Sequence, residues 1–286
     1  MKRALLVGIN NYEKLGKDSN LNGCVNDVLN IRDILKTFYG FTNDDIHVVT
    51  DERATGRAIL ERLENMVKNA QAGDQLLFHF SGHGSQIRDR DGDELADGLD
   101  EILCPYDMDW DNTYITDDDL ASALEKLNPA ASMEVLLDCC HSGTGIRGMG
   151  GLIDFIMTRD AEPGHGAPSS LPRFLPPPID IACRAEGTKG VIAINKLFLT
   201  NQYLSKPVLW AGCKSSQTSA DAFIGGKYNG AFTYTLCEIV RRSEGKVSRA
   251  ELIKRMRQDL RDGDFDQEPQ LETSEPGKIT SNFFEG

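Results

Sequence analysis

Two short segments hold the residue types that a thiol nucleophile needs: Ser81-Gly82-His83-Gly84, and Asp138-Cys139-Cys140-His141-Ser142-Gly143. Each follows an apolar run that reads as a buried strand, Gln75 to Phe80 and Met133 to Leu137. A thiol attacks as its thiolate, which takes a base to form, and an amine leaves only when protonated; one imidazole can serve both steps. Side chains two apart on a strand share a face. Asp138 and Cys140 therefore point one way, while Cys139 points with Val135 and Leu137 toward the core, so Cys140 is the expected nucleophile. His83 stands between two glycines, where backbone can approach a substrate closely, and is the expected acid and base. His79 lies inside the apolar run and reads as a core residue, and His141 directly follows the nucleophile, so its side chain points away. The backbone N–H groups of Gly84 and Cys140 are expected to hold an oxyanion. The chemistry implied is attack of the Cys140 thiolate on a carbonyl carbon, protonation of the departing amine by His83, and release of the acyl-enzyme by water.

The elements around these segments must bring them together. Arg3–Ile9 reads as an apolar strand, and Cys24–Tyr39 as a helix with Val25, Val28, Leu29, Ile31, Leu35 and Phe38 at near-helical spacing, stopped by Gly40. A strand over Asp45–Thr50, a helix over Arg53–Ala70, a strand over Gln75–Ser81, a short acid-fronted helix over Asp117–Leu127 and a strand over Ser132–Asp138 continue the alternation. Residues 144–205 break it: they hold six of the eleven prolines, Pro176-Pro177-Pro178 among them, and read as a long loop or linker. Order returns with a strand over Pro207–Gly212, helices over Ala231–Arg242 and Ser248–Arg261, and a last strand over Glu268–Thr273. Such alternation predicts an α/β fold, a three-layer α/β/α sandwich around a mostly parallel six-stranded sheet. In open parallel sheets, sites form beyond the carboxyl ends of the strands, where both segments stand.

Composition narrows the function classes. The net charge of −13 is concentrated between Arg88 and Asp119, which carry thirteen acidic and two basic residues. Such a run is either a solvated loop or a site for cations or basic substrates. No basic stripe exists to meet phosphates, so nucleic acid is not an expected partner. No run approaches the roughly 20 apolar residues of a membrane span, and Ala4–Ile9 is too short for a secretory core, so no membrane association is expected. Seven cysteines, an odd count without the close-set pairs of a small disulfide scaffold, read as reduced thiols in a cytoplasmic chain. A zinc site built on Cys139, Cys140, His141, His165 and Cys183 fails, because adjacent Cys-Cys-His cannot converge on one ion from an extended strand. A serine-hydrolase elbow fails as well, since Cys140 stands where its first glycine belongs.

The ordered set of segments resembles the metacaspases and prokaryotic caspase-like peptidases (peptidase family C14, caspase–haemoglobinase fold). The resemblance runs through Leu5-Leu6-Val7-Gly8-Ile9-Asn10, Leu21-Asn22-Gly23-Cys24-Val25-Asn26-Asp27, the His83 and Cys140 segments, Ala211-Gly212-Cys213-Lys214, Gln217-Thr218-Ser219-Ala220, Gly230-Ala231-Phe232-Thr233 and Gln267-Glu268-Pro269-Gln270-Leu271. It implies a caspase-like fold and a cysteine endopeptidase that cuts after Arg or Lys. It also implies an acidic specificity pocket at Cys24, Asp27, Ser81 and Asp138; carboxylates there would suit a guanidinium and repel an aspartate. No cofactor is required for the chemistry. Calcium is implied as an activator, with metal positions at Asp100, Asp117 and Asp118, but a fourth family aspartate falls on Arg147, a cation that should weaken or abolish such a site. The linker carries Arg147, Arg159, Arg173, Arg184 and Lys189 as candidate self-cleavage positions. It would divide a large catalytic part (1–143) from a small part (206–286) that completes the sheet and the substrate groove. The expected partners are proteins or peptides with basic residues, met by a monomer. The rival expectation is a catalytically silent caspase-like adapter or sensor.

Overall fold

Alternate residues of the central strands bury in two different cores, and that makes a sandwich of three layers. The computed structural model describes residues 1–88, 99–140, 170–178, 181, 207–214 and 217–284. Its main sheet has six strands in the order β12-β9-β7-β3-β1-β2: β1 (Lys2–Gly8), β2 (Ile46–Thr50), β3 (Gln75–Ser81), β7 (Ser132–Asp138), β9 (Val208–Ala211) and β12 (Gln270–Glu272). All pair in parallel except β12, which runs against β9 at the edge. On one face Ala4, Leu6, Leu77, Leu136 and Trp210 pack against α1 (Cys24–Phe38), α4 (Ala231–Arg242) and α5 (Arg249–Asp262). On the other, Leu5, Val7, Phe78, Phe80, Val135 and Leu137 pack against α2 (Gly56–Lys68) and α3 (Asp117–Leu124). The mostly parallel α/β/α architecture expected from the alternation is the one observed.

Local chemistry sets the helix starts. Thr55 Oγ1 accepts from Ala58 N–H at 3.2 Å to open α2, and Thr116 with Asp119 forms a reciprocal capping box at α3. Under the sheet, Glu134 accepts from Trp210 Nε1 (2.6 Å) and from Arg249 Nε (2.9 Å), which satisfies a buried carboxylate.

The strand pattern also missed two small sheets. One joins β4 (Gly84–Arg88), β5 (Leu99–Leu103) and β6 (Ile115–Thr116); the other joins β8 (Ser170–Pro172), β10 (Ala220–Ile224) and β11 (Lys227–Gly230), with a short α6 (Pro276–Thr280) near the end of the chain. These strands are short and rich in polar residues, so alternation does not single them out. Strand β4 follows β3 directly through Gly82-His83, and Gly84 at its start bridges to Phe174, just after β8.

Candidate active site

Strands β3 and β7 are neighbours, with Ser81 opposite Asp138, so the two segments leave the sheet side by side. Gly84 presses on the second segment so closely that a Cβ there would overlap the Cys140 carbonyl oxygen. Strand β3 ends at Ser81, and Gly82 bends the chain; the His83 N–H then donates to Tyr12 Oη at 2.7 Å, and the ring lies on that of Tyr12 with centroids 5.1 Å apart. His83 Nε2 is 2.7 Å from the Ser19 carbonyl oxygen. A carbonyl only accepts, so Nε2 carries the proton and Nδ1 is the basic nitrogen of the neutral ring.

Cys140 is buried, and its sulfur accepts the Ser219 N–H and lies 3.5 Å from the Ser219 carbonyl. Cys139 packs in the core with Val135 and Leu137, and burial raises its thiol well above the ordinary value, as suits an inert residue. His79 is also a core residue: it is bonded to Thr233 Oγ1 at 3.2 Å, and burial lowers its pKa to about 3, so it stays neutral.

One linker residue lies in the middle of this site. The Arg173 side chain is fully buried, with Nη2 2.7 Å from Asp27 Oδ2 and 3.1 Å from Asp221 Oδ1, and Nη1 3.1 Å from Asp138 Oδ2. Nη1 also donates to Ser81 Oγ at 2.8 Å, and Ser81 Oγ donates to Asp27 at 2.8 Å. Cys24 is buried alongside, its thiol pushed up first of all by desolvation. The structure thus gathers Cys24, Asp27, Ser81 and Asp138 around a guanidinium. The backbone of the same residue is held too: the Arg173 carbonyl oxygen accepts Gly84 N–H at 3.0 Å and Cys140 N–H at 3.2 Å, and Arg173 N–H donates to Ser219 O at 2.9 Å. Strand β8 pairs antiparallel with β10, which sets this register.

Three buried carboxylates around one cation need further donors. Asp138 accepts from Ser219 Oγ (2.7 Å) and from Thr233 N–H (3.0 Å) and Oγ1 (2.7 Å) in the first turn of α4. Asp27, in the first turn of α1, accepts Gly230 N–H at 2.9 Å. Asp221 accepts Asn22 and Gly23 N–H at 2.7 and 2.9 Å, just ahead of α1. Two helix N-termini therefore face the acids and stabilise their charge. Burial nonetheless pushes Asp27 up to about 7, with the Asp138 charge adding to the shift and Arg173 opposing it. Burial works against charge on Arg173 as well, yet Asp138, Asp27 and Asp221 hold its pKa well above the ordinary value.

Sequence reasoning missed Asp221. The stretch that carried the resemblance stopped at Ala220, one residue short, although alternation from Ser219 puts Asp221 on the same face. Arg147, Arg159, Arg184 and Lys189 lie outside the described residues, as does His141. Asp100 lies on β5, whereas Asp117 and Asp118 open α3. Among the described residues no group of three or more His, Cys, Asp or Glu side chains comes together as a metal ion would need. No helix among the described residues is long and apolar enough to cross a membrane.

The family model described as the metacaspase, peptidase C14 domain matches residues 2–147. Metacaspase-1 of Yarrowia lipolytica is 35% identical over 99% of this chain, which spans 63% of that protein. Metacaspase-1A of Aspergillus niger is 32% identical over 96% of this chain, which spans 70% of it. The chain thus spans about two thirds of the length of these relatives. A crystal structure from Geobacter sulfurreducens superposes with a TM-score of 0.70 at 24% identity, covering 99% of this chain and 98% of its own. Caspase-1 of Spodoptera frugiperda superposes at 0.55 and 14% identity, covering 95% and 86%, which shows a shared fold.

Proposed function

The chain belongs to the metacaspase peptidase C14 family, and from that membership we propose that it is a cysteine endopeptidase cutting after Arg or Lys, whose first substrate is its own Arg173–Phe174 bond. One residue held at both ends carries the reading. The Arg173 guanidinium sits among three carboxylates while its carbonyl oxygen accepts from Gly84 and Cys140 N–H at 3.0 and 3.2 Å. Those two donors are what an oxyanion would need, and charge developing on a carbonyl oxygen bound between them would be stabilised there.

The steps follow from the residues. The Cys140 thiol gives its proton to His83 Nδ1, and the sulfur attacks the Arg173 carbonyl carbon. Negative charge grows on an oxygen already held by both N–H groups. His83 returns the proton to the Phe174 nitrogen as the C–N bond breaks, leaving Arg173 as a thioester. Water, deprotonated by the same imidazole, then releases the Arg173 carboxylate. Calcium enters the proposal as a modulator outside these steps.

Arg173 also blocks the pocket it fills. In the uncut chain no other basic residue can enter, so release of the 170–173 strand is the proposed condition for cutting other proteins or peptides. Every group named lies on one chain, so a monomer suffices.

Prolonged incubation of wild-type, Cys140→Ala and Arg173→Gln proteins, with and without calcium, tests this by intact mass and N-terminal sequencing. The expected result is a new N-terminus at Phe174 in the wild type alone. Wild-type protein that stays whole in every condition, or is cut equally well after Cys140→Ala, would refute the reading and favour a silent scaffold.

A further inference from the structure

The held segment continues past the scissile bond, and there the burial is of side chains. Phe174 is 4% exposed and shares a buried cluster with Cys140 and Cys213. Leu175 is 5% exposed and joins the main core on the α2 side of the sheet. Its backbone is gripped as well: Leu175 N–H donates to Gly84 O at 2.9 Å, and the buried Ser85 Oγ donates to Leu175 O at 2.6 Å. Ahead of the bond the picture reverses. Ser170 is exposed, and Leu171 and Pro172 are half-buried, held mainly through their pairing with Ala222, Asp221 and Ala220.

We propose that this enzyme selects its substrates on both sides of the cut, taking peptides in which the basic residue is followed by an aromatic or large apolar residue and then by a large aliphatic one. Cys213 forms part of the wall of the first of these subsites, and Gly84 with Ser85 clamps the second. The inference rests on the reading that the Arg173–Phe174 bond is the one cut. An apolar side chain moved from water into a dry, close-packed site gains binding in proportion to its buried area, and the difference between a phenyl ring and no side chain is worth about tenfold or more. Residues before the basic one keep much of their surface in water and gain less. The contrast between the two sides is what separates this inference from a simple preference for Arg.

Internally quenched peptides test it, using the full-length protein after incubation under self-processing conditions. The parent peptide is Ser-Leu-Pro-Arg-Phe-Leu-Pro. Its variants carry Gly in place of Phe, Ala in place of the second Leu, or Ala in place of the first Pro. A reporter with an arginyl group joined directly to a coumarin dye has no residue after the cut. The expected result is cleavage of the reporter together with a fall in kcat/KM of about tenfold or more on replacing Phe by Gly. The replacement ahead of the Arg should do less than either replacement behind it. A Cys213→Phe variant, which fills the first subsite, should reduce the ratio of the Phe to the Gly peptide measured within that same variant. Reporter cleavage with a Phe-to-Gly ratio below tenfold overturns this inference and leaves basic specificity standing. Failure to cut the reporter and every peptide overturns the proposed function, and this inference with it.

Discussion

The Arg173 cluster makes a prediction about stability that does not need turnover. Substituting Arg173→Ala in a Cys140→Ala background, where no self-cleavage can intervene, removes the cation that pairs with Asp27, Asp138 and Asp221 among the described residues. All four side chains are fully buried. Breaking a buried pair from one side leaves an uncompensated charge and costs about 3–5 kcal/mol, a large share of the 5–15 kcal/mol that holds a typical domain together. The acids have a partial escape, since they can bind protons. Burial already lifts Asp27 to about 7 with the guanidinium present, and loss of the guanidinium lifts it further. A carboxylate whose folded pKa lies above its unfolded value of about 3.9 opposes folding at high pH. That penalty shrinks as pH falls through the folded pKa and is gone below the unfolded one. The stability gap between Arg173→Ala and its parent is therefore largest near pH 8 and smaller near pH 6. Urea unfolding followed by fluorescence of the buried Trp210 measures it. With a slope near 3 kcal/mol per molar, a loss of about 3 kcal/mol moves the midpoint by about 1 M. A gap under about 1 kcal/mol at pH 8, or one that widens on acidification, would refute the argument.

The same chemistry shapes the pH profile of catalysis. With Asp27 raised to about 7 by burial, its negative form is depleted below neutrality, so KM for arginyl substrates should rise from pH 8 to pH 6 by up to about tenfold per unit at the acid end; a flat KM over that range removes Asp27 from substrate binding. Gly84→Ala should lower kcat by about a hundredfold or more, since its Cβ would collide with the Cys140 carbonyl and displace the N–H that meets the Arg173 oxygen. Steady-state kinetics on the Arg-coumarin reporter decide that case, and an unchanged kcat would mean that the Gly84 N–H carries no oxyanion charge.

Much of the site was readable because its parts are local signals. Gln75–Ser81 and Ser132–Asp138 are apolar runs of strand length, and both strands occupy those residues. Alternation separated Cys139, which packs in the core, from Cys140 one residue on. The small sheets were missed because Gly84–Arg88 and Lys227–Gly230 are short and polar, and take their order from pairing with distant chain rather than from their own pattern. Asp221 was missed for a related reason. Its partners Asn22, Gly23 and Arg173 are far away in sequence, and nothing in its immediate neighbours points to them.

The amino-acid sequence by itself determined the alternation that builds the sheet, the His83 and Cys140 segments at its carboxyl edge, and a proline-rich linker that carries basic residues. These are properties of short windows, where periodicity and residue type act directly. It left the five candidate positions of the linker equivalent, since each is an Arg or Lys on proline- and glycine-rich chain. Only the tertiary structure singled out Arg173, because the choice depends on which backbone can pair with β10 and bring a carbonyl to Gly84 and Cys140 while its side chain reaches three acids drawn from α1, β7 and β10. Meeting those conditions together is a matter of distance through space, which no window of sequence contains.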